Sequence, residues 1–227
     1  GDRGGYDMTA FWCRSGTGGA LTSKELGVTP QAGPAYGDSL GGMTIAGGIA
    51  AALFQRERTG ETSIIDVSLM GMGMWAMSSA IALSLQMDVP WNSFQMASGG
   101  GNPLTGTYQT QDDRHICFVM LQAFEYWADV CEHLERKDLV IDSRFGTQGH
   151  LAANGAAARE VIAAEMAKRT LDDWSARFQT MRGQWTPVQN TLEVAADPQA
   201  RANGYMQSVT TADGTEFELV ASPVQFD

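Results

Sequence analysis

The sequence predicts a mixed α/β protein, and three observations carry that reading. A glycine-punctuated helix over residues 39–58 leads through Gly60 into an apolar, β-branched segment at 63–69. A charge-free helix follows over 69–87. The second half alternates short strands with helices and closes on a hairpin, so helix and sheet share one layer system rather than forming an all-helical bundle.

Taken in order, Asp7 is placed to N-cap a helix beginning at Met8 and carrying Phe11 and Trp12. Residues 24–37 hold Gly27, Pro30, Gly33, Pro34 and Gly37, which makes them loop. The long helix has Asp38 as its start signal and Gly60 as its stop. Its apolar residues, Met43, Ile45, Ile49, Leu53 and Phe54, are interrupted by Gly41, Gly42, Gly47 and Gly48. Glycines lower helix propensity, and their presence implies that another backbone packs very close. Segment 63–69, Ser-Ile-Ile-Asp-Val-Ser-Leu, reads as a buried strand. Helix 69–87 sits at the lower length limit for a bilayer span, but Gly71, Gly73, Ser78, Ser79, Ser84 and Gln86 make it a buried or interface helix instead.

Composition changes near Asp88, and residues 89–92 and 98–103 read as linker and loop. Strands are expected at 107–110 and 115–120 around the turn Asp112-Asp113. Helices are expected at 124–135, 154–168 and 171–181, the last capped by Thr170 with Asp173 three residues on. Residues 205–211 and 216–222 flank Asp213-Gly214, a hairpin turn. The domain division implied is 1–95 and 96–227.

A chain of 227 residues with 44% apolar and 18% charged residues can bury a core and is not disordered as a whole. A formal charge of −11 and a pI near 4.6 repel phosphate backbones. The densest basic stretch, residues 55–58, carries its own acid, so nucleic acid is not an expected partner. Cys13, Cys117 and Cys131 are odd in number and form no Cys-x-x-Cys, which argues against a disulfide framework or zinc site and suits a cytoplasmic protein. No stretch reads as a signal peptide, and no membrane association is expected.

Residues 36–42, Tyr-Gly-Asp-Ser-Leu-Gly-Gly, place a carboxylate at a helix start between glycines. Asp38 reads two ways there: as an ordinary helix cap, or as an exposed nucleophile able to attack a thioester and form a mixed anhydride. Ser98-Gly99-Gly100-Gly101 offers unhindered amides that can approach an oxyanion or cover an acyl group, or it is a flexible linker. His115, His133 and His150 fit no metal spacing, and no Gly-x-Ser-x-Gly elbow is present. The methionines at 70, 72, 74 and 77 are explained by a buried helix.

Together these segments resemble the family III CoA-transferases, the CaiB/BaiF group that also includes α-methylacyl-CoA racemase. Gly5-Tyr6-Asp7 resembles the family's helix opening, and Gly37-Asp38-Ser39 with Gly41-Gly42 its catalytic segment. Residues 51–60 and 65–69 resemble the helix end and strand that follow. Asn102-Pro103-Leu104 with Gly106 and Tyr108, Asp142-Ser143-Arg144-Phe145, Thr186-Pro187-Val188 and Ala196-Asp197-Pro198-Gln199 resemble its smaller domain. The resemblance runs in register along nearly the whole chain.

The resemblance implies a Rossmann-like large domain, represented in part by residues 1–95, a smaller α+β domain over 96–227, and an interlocked homodimer. The family's N-terminal strand–helix segment and its C-terminal tail have no counterpart here, so the chain is expected to be part of a family member. The implied function is transfer of CoA from an acyl-CoA to a carboxylic acid. Asp38 is the implied nucleophile, Gly99, Gly100 and Gly101 cover the anhydride, Tyr6 and Gly37 contact CoA, and no metal and no cofactor beyond the CoA of the substrates is implied. Racemases of the family carry a histidine where this chain has Tyr6. A phenol, titrating near 10, is a poor proton-transfer partner at neutral pH, which favours transfer over racemisation. The alternatives are an acyl-CoA racemase or isomerase acting through Asp38 and another acid, and a non-catalytic subunit.

Overall fold

The computed structural model describes residues 5–23, 25, 27, 29–93 and 101–225. The chain forms two compact units, residues 1–99 and 100–227.

The first unit is helical. A π-helical turn, Asp7–Cys13, precedes α1 (Thr17–Leu21), α2 (Tyr36–Thr59), α3 (Leu69–Ala76) and α4 (Ser78–Met87). Helix α2 stops where expected: Gly60 takes φ 76°, and its N–H reaches Arg56 O at 2.8 Å. The glycines of α2 admit side chains rather than a second backbone. A Cβ on Gly41 would stand 3.0 Å from Met72 Cε and one on Gly48 2.9 Å from Ile65 Cγ2, while Gly42 and Gly47 face open space. Among the described glycines of this unit, only Gly73, on α3, meets a backbone group, the Phe11 carbonyl oxygen, at 2.6 Å from where its Cβ would be.

Two expectations for this unit fail. Residues 63–69 are not a buried strand: 61–68 forms neither helix nor ladder among the described residues, and Ile64 is 98% exposed. A strand exists only with a partner backbone, so β-branched composition alone does not make one. The charge-free helix is also broken, at Met77 (φ −95°, ψ 9°), into α3 and α4. Gly71, Gly73, Ser78 and Ser79 put four weak helix formers around the break. Ser68 caps α3, accepting the Gly71 N–H at 3.1 Å.

The second unit is α+β. Strands β1 (Thr105–Gln109), β2 (His115–Val119) and β3 (Trp185–Pro187) form an antiparallel sheet in that order, with Tyr108 opposite Ile116 and Ile116 opposite Pro187. Around it lie α5 (Ala123–His133), a 3₁₀ turn (Lys137–Val140), α6 (Gln148–Ala153), α7 (Gly155–Met166) and α8 (Leu171–Arg177), which continues into a 3₁₀ turn, Phe178–Thr180. Thr170 caps α8 through the Asp173 N–H. Helices α9 (Thr191–Ala196) and α10 (Pro198–Ala202) precede a hairpin of β4 (Met206–Thr210) and β5 (Glu216–Val220), turned at Gly214 with φ 88°.

The core of this unit follows from periodicity. Ile116, Phe118 and Met120 alternate inward. Trp127, Val130, Cys131 and Leu134 repeat at helical spacing on α5 and its end, as do Ala158, Ile162 and Met166 on α7. Phe178 joins them: its ring stacks on Trp174 at 5.2 Å and meets Phe118 and Trp185 edge-on at 5.6 and 5.5 Å. The indole N–H groups of Trp127, Trp174 and Trp185 donate to Leu139 O, Met166 O and Phe178 O. Glu165 is buried but receives Arg136 and Lys168, each at 2.7 Å. Burial pushes its carboxyl up, and those two cations outweigh it.

Burial also raises the Cys131 thiol and the Tyr108 phenol to about 12, the nearby Arg159 guanidinium partly opposing the latter. Both groups are neutral in the fold, so their contribution is complete below their unfolded values and is lost as pH rises through the folded ones. The second unit is therefore expected to lose a few kcal/mol between about pH 9 and pH 12. Urea melts at stepped alkaline pH check this; a Cys131→Ala variant should flatten the first part of the slope.

Candidate functional site

The start of α2 is built from two places in the sequence. Ala35, in a left-handed conformation (φ 55°), precedes the helix without offering a side-chain cap. The capping carboxylate comes instead from Asp7, thirty residues earlier: its Oδ1 accepts the Gly37 N–H at 2.9 Å and its Oδ2 accepts Gln31 Nε2 at 3.0 Å. Asp7 is thus not the N-cap of its own helix but the cap of another. Gly37 is required by this closeness, since a Cβ there would lie 2.6 Å from Phe11 Cβ. Tyr36 adds edge-on contacts with Phe11 and Trp12, at 6.1 and 5.8 Å.

With Asp7 in that role, Asp38 is not the cap either. It is the third residue of α2, exposed, and its carboxylate makes no hydrogen bond or ion pair among the described residues. An acidic side chain in the first turn complements the helix dipole. Tyr6, 79% exposed, closes the first turn of the π-helix by backbone exchange with Thr9 Oγ1. The N–H of Gly37 is already given to Asp7.

Gly99 and Gly100 lie outside the described residues. Gly101, in the second unit, has φ 107° and borders a cleft of about 360 Å³ with Pro103, Phe124 and Leu151. The adjoining Asn102 side chain donates to Met120 O and Leu121 O and accepts the Leu104 N–H at 2.8 Å. The first unit holds two further clefts. One of about 580 Å³ lies between Leu40, Met43 and Thr44 of α2 and Val67, Met72 and Trp75. Another of about 760 Å³ separates α1 from the Ala80–Ile81–Ser84 face of α4. Asp38 lines neither.

No group of three or more metal-ligating side chains occurs among the described residues, and the three cysteines are free. No helix there is long and apolar enough to cross a membrane. His133 is structural, bridging Asp129 O and Thr180 Oγ1. Sequence reasoning missed the cap from Asp7 and the role of Arg159, whose Nη2 donates to Asn102 O and Thr105 O. Neither bond has a local spacing signature.

The chain is 30% identical over 230 residues to cinnamoyl-CoA:phenyllactate CoA-transferase of Clostridium sporogenes, covering 99% of this chain and 55% of that protein. It is 26% identical to (R)-2-hydroxy-4-methylpentanoate CoA-transferase of Clostridioides difficile, with the same coverage. It spans about half the length of these curated relatives. The crystal structure of Rv3272 from M. tuberculosis superposes with a TM-score of 0.80 at 19% identity, covering all of this chain and 59% of that one, a likeness of fold. The model of CoA-transferase family III matches residues 1–227, and the chain belongs to that family.

Proposed function

We propose that the protein moves CoA from an acyl-CoA thioester to a carboxylic acid, with Asp38 as the covalent nucleophile. The observation that carries this reading is the exposed, unpartnered Asp38 carboxylate in the first turn of α2, relieved of capping by Asp7. A carboxylate oxygen attacks the thioester carbonyl, the C–S bond breaks, and CoA leaves as thiolate from a mixed aspartyl anhydride. The thiolate then attacks the aspartyl carbonyl, releasing the donor acid as its carboxylate and leaving an aspartyl-CoA thioester. The acceptor carboxylate attacks that thioester and expels the thiolate. The thiolate adds to the acceptor's acyl carbon, giving the new acyl-CoA and free Asp38. Every step is redox-neutral and needs no cofactor beyond the CoA of the substrates.

In this reading Gly99, Gly100 and Gly101 cover the anhydride and exclude water, and Tyr6 and Gly37 lie along bound CoA. The unpaired segment 61–68 belongs to a Rossmann-like sheet, and the exposed apolar faces of α2 to α4 pack in a homodimer. What supports transfer over racemisation is that the relatives named above are CoA-transferases, and that Tyr6 stands where a histidine is needed for proton exchange.

The test is chemical trapping. Incubation of the full native protein with cinnamoyl-CoA and then hydroxylamine is expected to leave a hydroxamate on the peptide containing Asp38, read by mass. Label on another side chain, or none while thioester is consumed, removes Asp38 from the mechanism.

A further inference from the structure

We infer that Asp7 is a positioning residue for Asp38, its buried carboxylate fixing the backbone from which the nucleophile is aimed. The inference rests on the reading of Asp38 as nucleophile and concerns the first unit alone. The Asp38 carboxylate bonds to nothing among the described residues, so its direction is set by its backbone. The amides on either side of it are both held. The Gly37 N–H donates to Asp7 Oδ1 at 2.9 Å, and the Ser39 N–H closes the first turn of α2 onto Ala35 O, also at 2.9 Å.

Three features set Asp7 apart from an ordinary cap. First, it is 7% exposed, and its partners, the Gly37 amide and the Gln31 side-chain amide, are both neutral. Among the described residues it has no cation partner. Serine, threonine or asparagine would cap the helix without burying a charge; the charge makes the bond to Gly37 about twice as strong as a neutral one. Second, its two oxygens hold residues 31 and 37, so one carboxylate closes the loop that enters α2. Third, Ala35 lies inside that loop at φ 55°, where a cap residue is ordinarily extended. A non-glycine residue keeps such a conformation where its surroundings over-determine it. With Asp7 removed, Ala35 is free to relax toward extended backbone, and the first turn of α2 rotates with Asp38 on it.

The test uses the full native protein and cinnamoyl-CoA, with the rate of hydroxamate labelling at Asp38 as readout. Asp7→Ala is expected to slow labelling by about 100-fold at saturating thioester, the scale of a roughly 1 Å misplacement. The thioester concentration giving half the maximal rate should hold. Asp7→Asn, which keeps an oxygen for the Gly37 N–H, should return to within about tenfold of wild type. Amide exchange over residues 36–40 needs no substrate and is expected to quicken about tenfold or more in Asp7→Ala. Ser68→Ala, which strips the cap of α3 in the same unit, is the structural control and should label at the wild-type rate. Should Asp7→Ala not fold, Gln31→Ala takes its place: an exposed side chain gives up one of the two bonds, with about a fivefold loss expected. Wild-type labelling in a folded Asp7→Ala, or in Gln31→Ala in its place, overturns the positioning role. An equal loss in Asp7→Asn and Asp7→Ala overturns it in favour of the charge alone. A loss in Ser68→Ala as large as that in Asp7→Ala overturns it in favour of stability. A wild type that forms no adduct at Asp38 overturns the transferase reading, and the inference with it, whatever the exchange over 36–40.

Discussion

Replacing Asp38 with alanine is expected to lower CoA transfer by about 10⁴-fold or more, the size of effect seen when a covalent nucleophile is removed. The fold should hardly notice. Asp38 is exposed and bonds to nothing among the described residues, so its removal forfeits only a helix-dipole contribution of about 0.3–1 kcal/mol. That asymmetry is the point of the experiment. Had Asp38 been the cap, the same substitution would cost about 1 kcal/mol and blur the interpretation. Asp7 takes that cost instead: Asp7→Ala would strip two hydrogen bonds from buried or part-buried donors. Steady-state transfer rates and thermal melts of Asp38→Ala and Asp38→Asn decide it. A variant with near-normal turnover and a normal melt would eliminate the nucleophile and leave the family membership without a mechanism.

Phe178→Ala is expected to destabilise the second unit by about 3–5 kcal/mol. The ring is fully buried, and it is the hub of an aromatic group formed by Phe118, Trp174 and Trp185, contributed by β2, α8 and β3. None of these neighbours can collapse into the hole without leaving another partner. Domains are typically stable by about 5–15 kcal/mol, so the loss is a large share of the total. Urea denaturation should show a lower midpoint at unchanged slope. Truncation of Ile141, 87% exposed in the same unit, should leave the midpoint within about 0.5 kcal/mol of wild type. A Phe178→Ala loss below about 1 kcal/mol would mean that the aromatic group repacks.

What the sequence made legible follows from how local each signal is. The hairpin at Asp213-Gly214, the Thr170 cap, the Gly60 stop and the strands either side of Asp112-Asp113 each depend on residues a few positions apart, and each is found within a few residues of its expected place. Strand β3 was not read because three residues with a proline carry no periodicity, and its identity comes from β2. Helix α9 went unread although Asn190 and Glu193 form a capping box that local spacing does show. The helix start expected at Asp38 lies within three residues of the observed one, Tyr36. The cap itself is not legible locally, because the carboxylate that performs it is thirty residues distant, beyond what any turn rule covers. Family resemblance identified Asp7 as part of a helix opening but said nothing of the bond it makes. Arg159 bonds only to backbone carbonyls, which every sequence has, so nothing in its neighbourhood marks it.

The pairing of β3 with β2 also has a consequence during synthesis. Pro187 lies opposite Ile116, about 70 residues later in the chain, whereas β1 and β2 are joined by a short turn. At roughly 5–20 residues per second, a ribosome that has delivered β2 needs on the order of 4–14 s to deliver β3. For that interval one side of β2 offers unpaired N–H and C=O groups, the kind of edge that recruits a neighbouring nascent chain on the same message. Helices α5 to α8 emerge in the meantime and supply the apolar partners of Ile116 and Phe118. The face of the hairpin can therefore be covered before its edge is, and the vulnerable period is set by elongation rate rather than by the intrinsic speed of folding.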